Sequence, residues 1–84
     1  IEFVLRSTEF VSLRIYNTSG QLLRTLLSES RDAGKHTSKW DGKDLNNRDV
    51  SSGIYFYQLK TGDQVKYKKM ILVRFSFQIH MKLE

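Results

Sequence analysis

Apolar side chains recur at every second position through most of this chain, a period that belongs to strands with one buried face. It is clearest from Ile54 to Lys60, where Tyr55, Tyr57 and Leu59 alternate with Ile54, Phe56 and Gln58. Ile1, Phe3 and Leu5 show it at the start, and Val11, Leu13 and Ile15 show it between Phe10 and Tyr16. Composition points the same way. One alanine (Ala33) and no proline stand against 15 Val, Ile and Thr residues and 10 aromatic ones. Exposed helices want alanine, whereas β-branched and aromatic side chains fit a pleated, half-buried surface. At 84 residues, the chain has room for one thin core. A helical bundle is excluded, and so is a βαβ enzyme fold, whose units are too long.

Turn residues divide the pattern into short strands. Asn17-Thr18-Ser19-Gly20 predicts a hairpin turn, with Gly20 free to take a positive φ. Leu22, Leu23, Leu26 and Leu27 follow, a spacing that also suits helical turns; Thr25 and the preceding turn favour a strand over 21–28. After the turn Asp32-Ala33-Gly34, a strand is predicted from Lys35 to Asp41, with His36, Ser38 and Trp40 on one face. A polar loop runs from Gly42 to Gly53, and Thr61-Gly62-Asp63 closes a tight hairpin into 64–74. Within that last strand Val65 and Tyr67 hold one parity, Met70 and Leu72 the other. A β-bulge or a change of partner near Lys68-Lys69 would restore the facing. Phe75, Phe77, Ile79, Met81 and Leu83 then alternate to the end. Short strands with regular turn signals predict an all-β, antiparallel sandwich.

The absence of cysteine excludes a disulfide framework, a zinc ribbon and a thiol nucleophile. No apolar run of about 18 residues suggests a membrane span, and no signal-peptide start is present. The chain opens directly in strand-like sequence, as a piece of a longer protein would. His36 and His80 adjoin no nucleophile motif, and Asp41 falls on the opposite strand face from His36, so no catalytic residue is expected.

Three groups of residues could carry a function. Asp41, Asp44, Asn46, Asn47 and Asp49 place five oxygen-bearing side chains in nine positions, the types that calcium takes. Lys43 and Arg48 intrude, so a polar loop that satisfies its own backbone is the main reading, with Asp41, Asp44, Asn46 and Asp49 as the weak metal alternative. The net charge of +5 permits contact with anionic partners. The cations concentrate at Lys66, Lys68, Lys69 and Arg74, which are the candidates for binding a partner. Alternation turns Tyr67 away from Lys66 and Lys68, so an edge strand guarded by lysines is favoured over nucleic acid. Trp40, Tyr55 and Tyr57 would suit a sugar-stacking platform, but their apolar neighbours read as core. No cofactor is expected.

The order of these features resembles a known family. Val11-Ser12-Leu13-Arg14-Ile15-Tyr16-Asn17, then Gly20-Gln21-Leu22-Leu23-Arg24-Thr25-Leu26, follow its strand, glycine turn and apolar strand. Ala33-Gly34, Trp40-Asp41-Gly42 with Asp44, Ser52-Gly53-Ile54-Tyr55-Phe56-Tyr57-Gln58-Leu59 and Lys68-Lys69-Met70 come next. The set is similar to the immunoglobulin-like domain of the bacterial flagellar hook-capping protein, and equally to the C-terminal sorting domain of type IX secretion substrates. The likeness runs from Ile1 to Arg74. It implies an immunoglobulin-like or fibronectin-III-like sandwich of about seven strands without catalytic residues. It also implies that Gly53 opens its strand by close backbone approach, and that Trp40 caps the core beside Tyr55.

Residues 1–74 are accordingly expected to form the module. Residues 75–84 are expected to be either an extra strand or a non-native appendage, since sorting domains end near Lys-Lys-Met. Such a tail would pair with its own sheet or, through a twofold axis, with a second copy. The pairing with a second copy is slightly favoured, because no turn residue separates Met70 from Leu83. The expected function is sorting or surface attachment at the C-terminus of a larger secreted bacterial protein, exported through the periplasm. Its partners would be the secretion or attachment machinery, or neighbouring domains of the parent. The alternatives are a hook-cap-like assembly domain and a carbohydrate-binding accessory module.

Overall fold

The computed structural model describes residues 1–74 and the backbone of residues 79–83. Seven strands occupy them: β1 (Glu2–Leu5), β2 (Glu9–Tyr16), β3 (Leu22–Arg31), β4 (Gly34–Thr37), β5 (Gly53–Thr61), β6 (Gln64–Arg74) and β7 (Ile79–Leu83). They form an antiparallel five-stranded sheet in the order β3-β2-β5-β6-β7 and a two-stranded sheet of β1 and β4. The described residues contain no helix, and hence none long and apolar enough to cross a membrane.

The core lies where the small sheet covers the large one. Phe3 and Leu5 come down from β1 onto Val11, Leu13 and Ile15 of β2, Tyr55, Tyr57 and Leu59 of β5, and Met70 and Leu72 of β6. Burying each large apolar side chain is worth roughly 1.5–3 kcal/mol, which is why alternate residues hold this face. The alternation in β1, β2 and β5 therefore read the buried face correctly.

In β3 the leucine spacing is that of a helix, and the strand accommodates it by slipping. Its register against β2 shifts between Leu13 and Arg14 and again between Ile15 and Tyr16. Each shift leaves one extra β3 residue, so Leu23, Leu26 and Leu27 all pack against the core. The bulges thus lie here and not at Lys68-Lys69. The β5–β6 register runs unbroken from Gly53↔Leu72 to Thr61↔Gln64. In that register Tyr57 faces Lys68 and Leu59 faces Lys66, so both lysines share the inner side with the core residues. They can do so because the two-stranded sheet does not reach over this part of β6, and both stay exposed to water.

The strand expected over 35–41 is shorter than the alternation suggests. β4 ends at Thr37, and Trp40 is buried from a coil segment, its Nε1 donating to the Lys43 carbonyl at 2.9 Å. Gly53 opens β5 as expected, for a different reason. A Cβ there would meet nothing within 4 Å, but φ is +155°, a backbone state that L side chains rarely adopt. The tail takes the intramolecular pairing, with β7 lying antiparallel to β6 from Met70↔Leu83 to Arg74↔Ile79. Lack of a turn residue therefore does not keep the tail from its own sheet. Phe75 and Phe77 lie outside the described residues.

Candidate functional site

The loop between β4 and β5 is held by its own polar groups. Asp44 Oδ1 accepts the N–H groups of Asn46 and Arg48 at 2.9 and 3.0 Å, and Asp41 Oδ1 accepts that of Lys43 at 3.1 Å. These are Asx turns, in which a carboxylate replaces a backbone acceptor. Asp49 Oδ1 lies between Lys43 Nζ at 3.2 Å and Arg74 Nη1 at 3.5 Å. One oxygen of each of Asp41, Asp44 and Asp49 is thus engaged by a cation or a backbone donor. Among the described residues no three His, Cys, Asp or Glu side chains converge as a metal site.

Arg74 belongs to this loop. Its Nε donates to the Val50 carbonyl at 3.1 Å and its Nη2 to the Gly42 carbonyl at 2.9 Å. The guanidinium therefore ties β6 to both ends of the loop, and the four cations of the sequence cluster separate by task. Trp40 and Tyr55 meet edge to face at 5.2 Å. Together with Tyr57 they are at most 7% exposed, which closes them to a sugar. Burial also raises the Tyr57 phenol pKa above 10.0.

Lys66 and Lys68 border a groove along the open edge of β1. Ile1 and Ser38 exchange two backbone hydrogen bonds, Ile1 to the Ser38 carbonyl at 2.9 Å and Ser38 to the Ile1 carbonyl at 2.8 Å. Bonded and unbonded pairs alternate along an antiparallel ladder, so Phe3 and Leu5 bond to β4 in turn. The N–H and C=O groups of Glu2 and Val4 therefore point to the other side, where the described strands supply no partner. Beneath that edge lie two adjoining hollows of about 620 and 280 Å³ that share Val4, Thr61, Gln64 and Lys66.

Lys69 points to the opposite face of the large sheet, in register with Phe56. Sequence reasoning missed what surrounds it. Tyr16, Phe56, Gln58 and Tyr67 line a shallow trough of about 400 Å³ on this outer face. Gln58 Nε2 donates to the Tyr67 hydroxyl at 2.8 Å, and the Tyr16 hydroxyl donates to Gln58 Oε1 at 3.5 Å. Each of these residues has outward parity in its own strand, but only the strand order brings the four together.

With this geometry in view, the family follows from comparison. The model of the FlgD Ig-like domain matches residues 2–64. The chain belongs to that family. Its members are structural, non-catalytic domains, and the match spans every strand from β1 through β5. No curated protein and no solved structure matches the chain.

Proposed function

We propose that this FlgD Ig-like domain is a non-catalytic assembly module that joins neighbouring domains or subunits of a larger bacterial protein. The family match over 2–64 carries the reading. The open edge of β1 supports it, because outward-pointing backbone groups above a groove are what an added strand from a neighbour would use. The groove lining carries both signs, Arg6, Lys66 and Lys68 with Glu2, Glu9 and Asp63, so a neighbour's strand of mixed charge would suit it. Residues 1–74 form the module in this reading, and β7 adds an edge strand to it.

A sorting role is the second reading, in which export machinery recognises the domain and the protein reaches the cell surface through the periplasm. The residue pattern from Ala33-Gly34 to Lys68-Lys69-Met70 favours it. One experiment separates the two. Lys66→Glu with Lys68→Glu, placed in the full-length parent, should block incorporation into its assembly while circular dichroism stays unchanged. A parent that assembles normally but is retained in the periplasm would instead establish sorting.

A further inference from the structure

β6 and β7 run on beneath the open edge of β1. Phe3 and Val4 share one hollow with Tyr57 and Leu59 of β5, and that hollow continues over Lys66 and Lys68 of β6. The sheet order then places β7 beyond β6. A strand added to β1 would lie about 4.8 Å from it, above β6, with the floor of the groove already in place. The same overhang excludes a second copy. Two copies paired antiparallel through β1 about a twofold axis would keep both large sheets on one side. The β5 of one would then fall where the β6 of the other lies. What fits this edge is an extended segment that brings no second layer beneath it.

Backbone and side chains together specify that segment. Glu2 and Val4 each turn an N–H and a C=O to the free side, so an antiparallel segment would exchange two bonds with each. Cross-strand partners share a face. The residue opposite Val4 would therefore lie on the outer face, beside a valine that is 70% exposed, a place for another β-branched side chain. Its two neighbours would point inward, opposite Phe3 and Leu5. The charges at these two positions differ. By Phe3 the floor holds Lys66 and Lys68, while Glu2, the acid at this end, is paired with Lys35 at 3.7 Å. Around Val4 and Arg6, the neighbours of Leu5, the lining adds Glu9 and Asp63. Arg6 can offset only one of those two acids.

We propose that the β1 edge takes a single extended peptide segment of a partner, antiparallel to β1, with a basic, a β-branched and an acidic residue in succession. The acidic residue, opposite Phe3, meets Lys66 and Lys68. The β-branched one packs beside Val4, and the basic one, opposite Leu5, turns to Glu9 and Asp63. Main-chain bonds supply the affinity and the alternate side chains the specificity, as in other strand additions. The antiparallel sense is the more stable of the two pairings. This inference rests on the assembly reading and names the form that the neighbour takes at the groove. A folded sheet with its own second layer beneath the pairing strand is excluded by β6.

Amide exchange and amide chemical shifts of the whole chain, titrated in about 0.15 M salt with the capped peptide Ser-Thr-Lys-Val-Glu-Thr-Ser, test the proposal. Excess peptide should slow exchange at the Glu2 and Val4 amides, which no described strand accepts, and shift the amides of 64–68. Val4→Pro should abolish binding and preserve the melting curve, since an edge strand can spare that N–H. Replacing the peptide's glutamate by lysine should weaken binding about tenfold, the size of a charged contact turned repulsive. Lys66→Glu with Lys68→Glu should reverse that preference. No slowing at Glu2 and Val4, binding that survives Val4→Pro in a folded chain, or a preference untouched by the two lysine changes overturns the proposal. If those changes block assembly of the parent while no peptide protects Glu2 and Val4, the assembly reading stands and the single-strand partner falls. If the peptide binds as expected while the altered parent still assembles, the assembly reading fails and the peptide site remains.

Discussion

Trp40 lies in coil, yet it is 2% exposed and its only polar atom donates to the Lys43 carbonyl. One residue thus serves both the core and the loop that leads to β5. Trp40→Ala removes the ring from the Tyr55 contact and takes the indole donor from the partly buried Lys43 carbonyl. The expected loss is ~3–5 kcal/mol in urea unfolding, the range for large aromatic truncations in cores. Tyr57 makes a pH-dependent contribution. Burial raises its pKa above 10.0, so the fold favours the neutral phenol over the phenolate. That preference is fully present below the unfolded pKa and is lost as pH rises through the folded one. Stability measured from pH 8 to 12 should therefore fall above about pH 10, and less steeply in Tyr57→Phe.

Elements show what a period can and cannot reveal. β5 was legible because its inner residues are all core and its pairing is regular on both sides. β3 was ambiguous because its leucines obey a bulged register that no single-strand period contains. In β6 the parity slip had a simple cause. Lysines take inner positions where the small sheet leaves water, so hydrophobicity marked the face only from Met70 onward. The outer-face trough was hidden for a related reason. Parity told that Tyr16, Phe56, Gln58 and Tyr67 each point outward, but their meeting depends on β2 lying beside β5 and β5 beside β6. Gly53 was legible as a strand opener, though the cause is its backbone. Gly53→Ala should cost roughly 1–3 kcal/mol in thermal unfolding, the usual cost of a strained φ, although open space surrounds the site.

At the scale of the molecule, five strands face two, and the open edges decide how copies of the chain meet. β6 has a partner on each side from Met70 to Leu72, β5 on one and β7 on the other, and β7 alone pairs with Val73 and Arg74. Removing 75–84 strips the second partner and leaves a bare edge, which is a template for another chain. The intact chain, whose tail pairs with its own β6, should sediment as a monomer across a range of concentrations. The shortened chain 1–74 should self-associate as concentration rises, and the amides of 70–74 should exchange faster in its monomer. The opposite result has one structural meaning. A full-length dimer that becomes monomeric on removal of 75–84 would show that β7 crosses between copies about a twofold axis and pairs in the same register with the partner's β6. Strand exchange of that kind preserves the register found here, so sedimentation rather than local geometry separates the two arrangements.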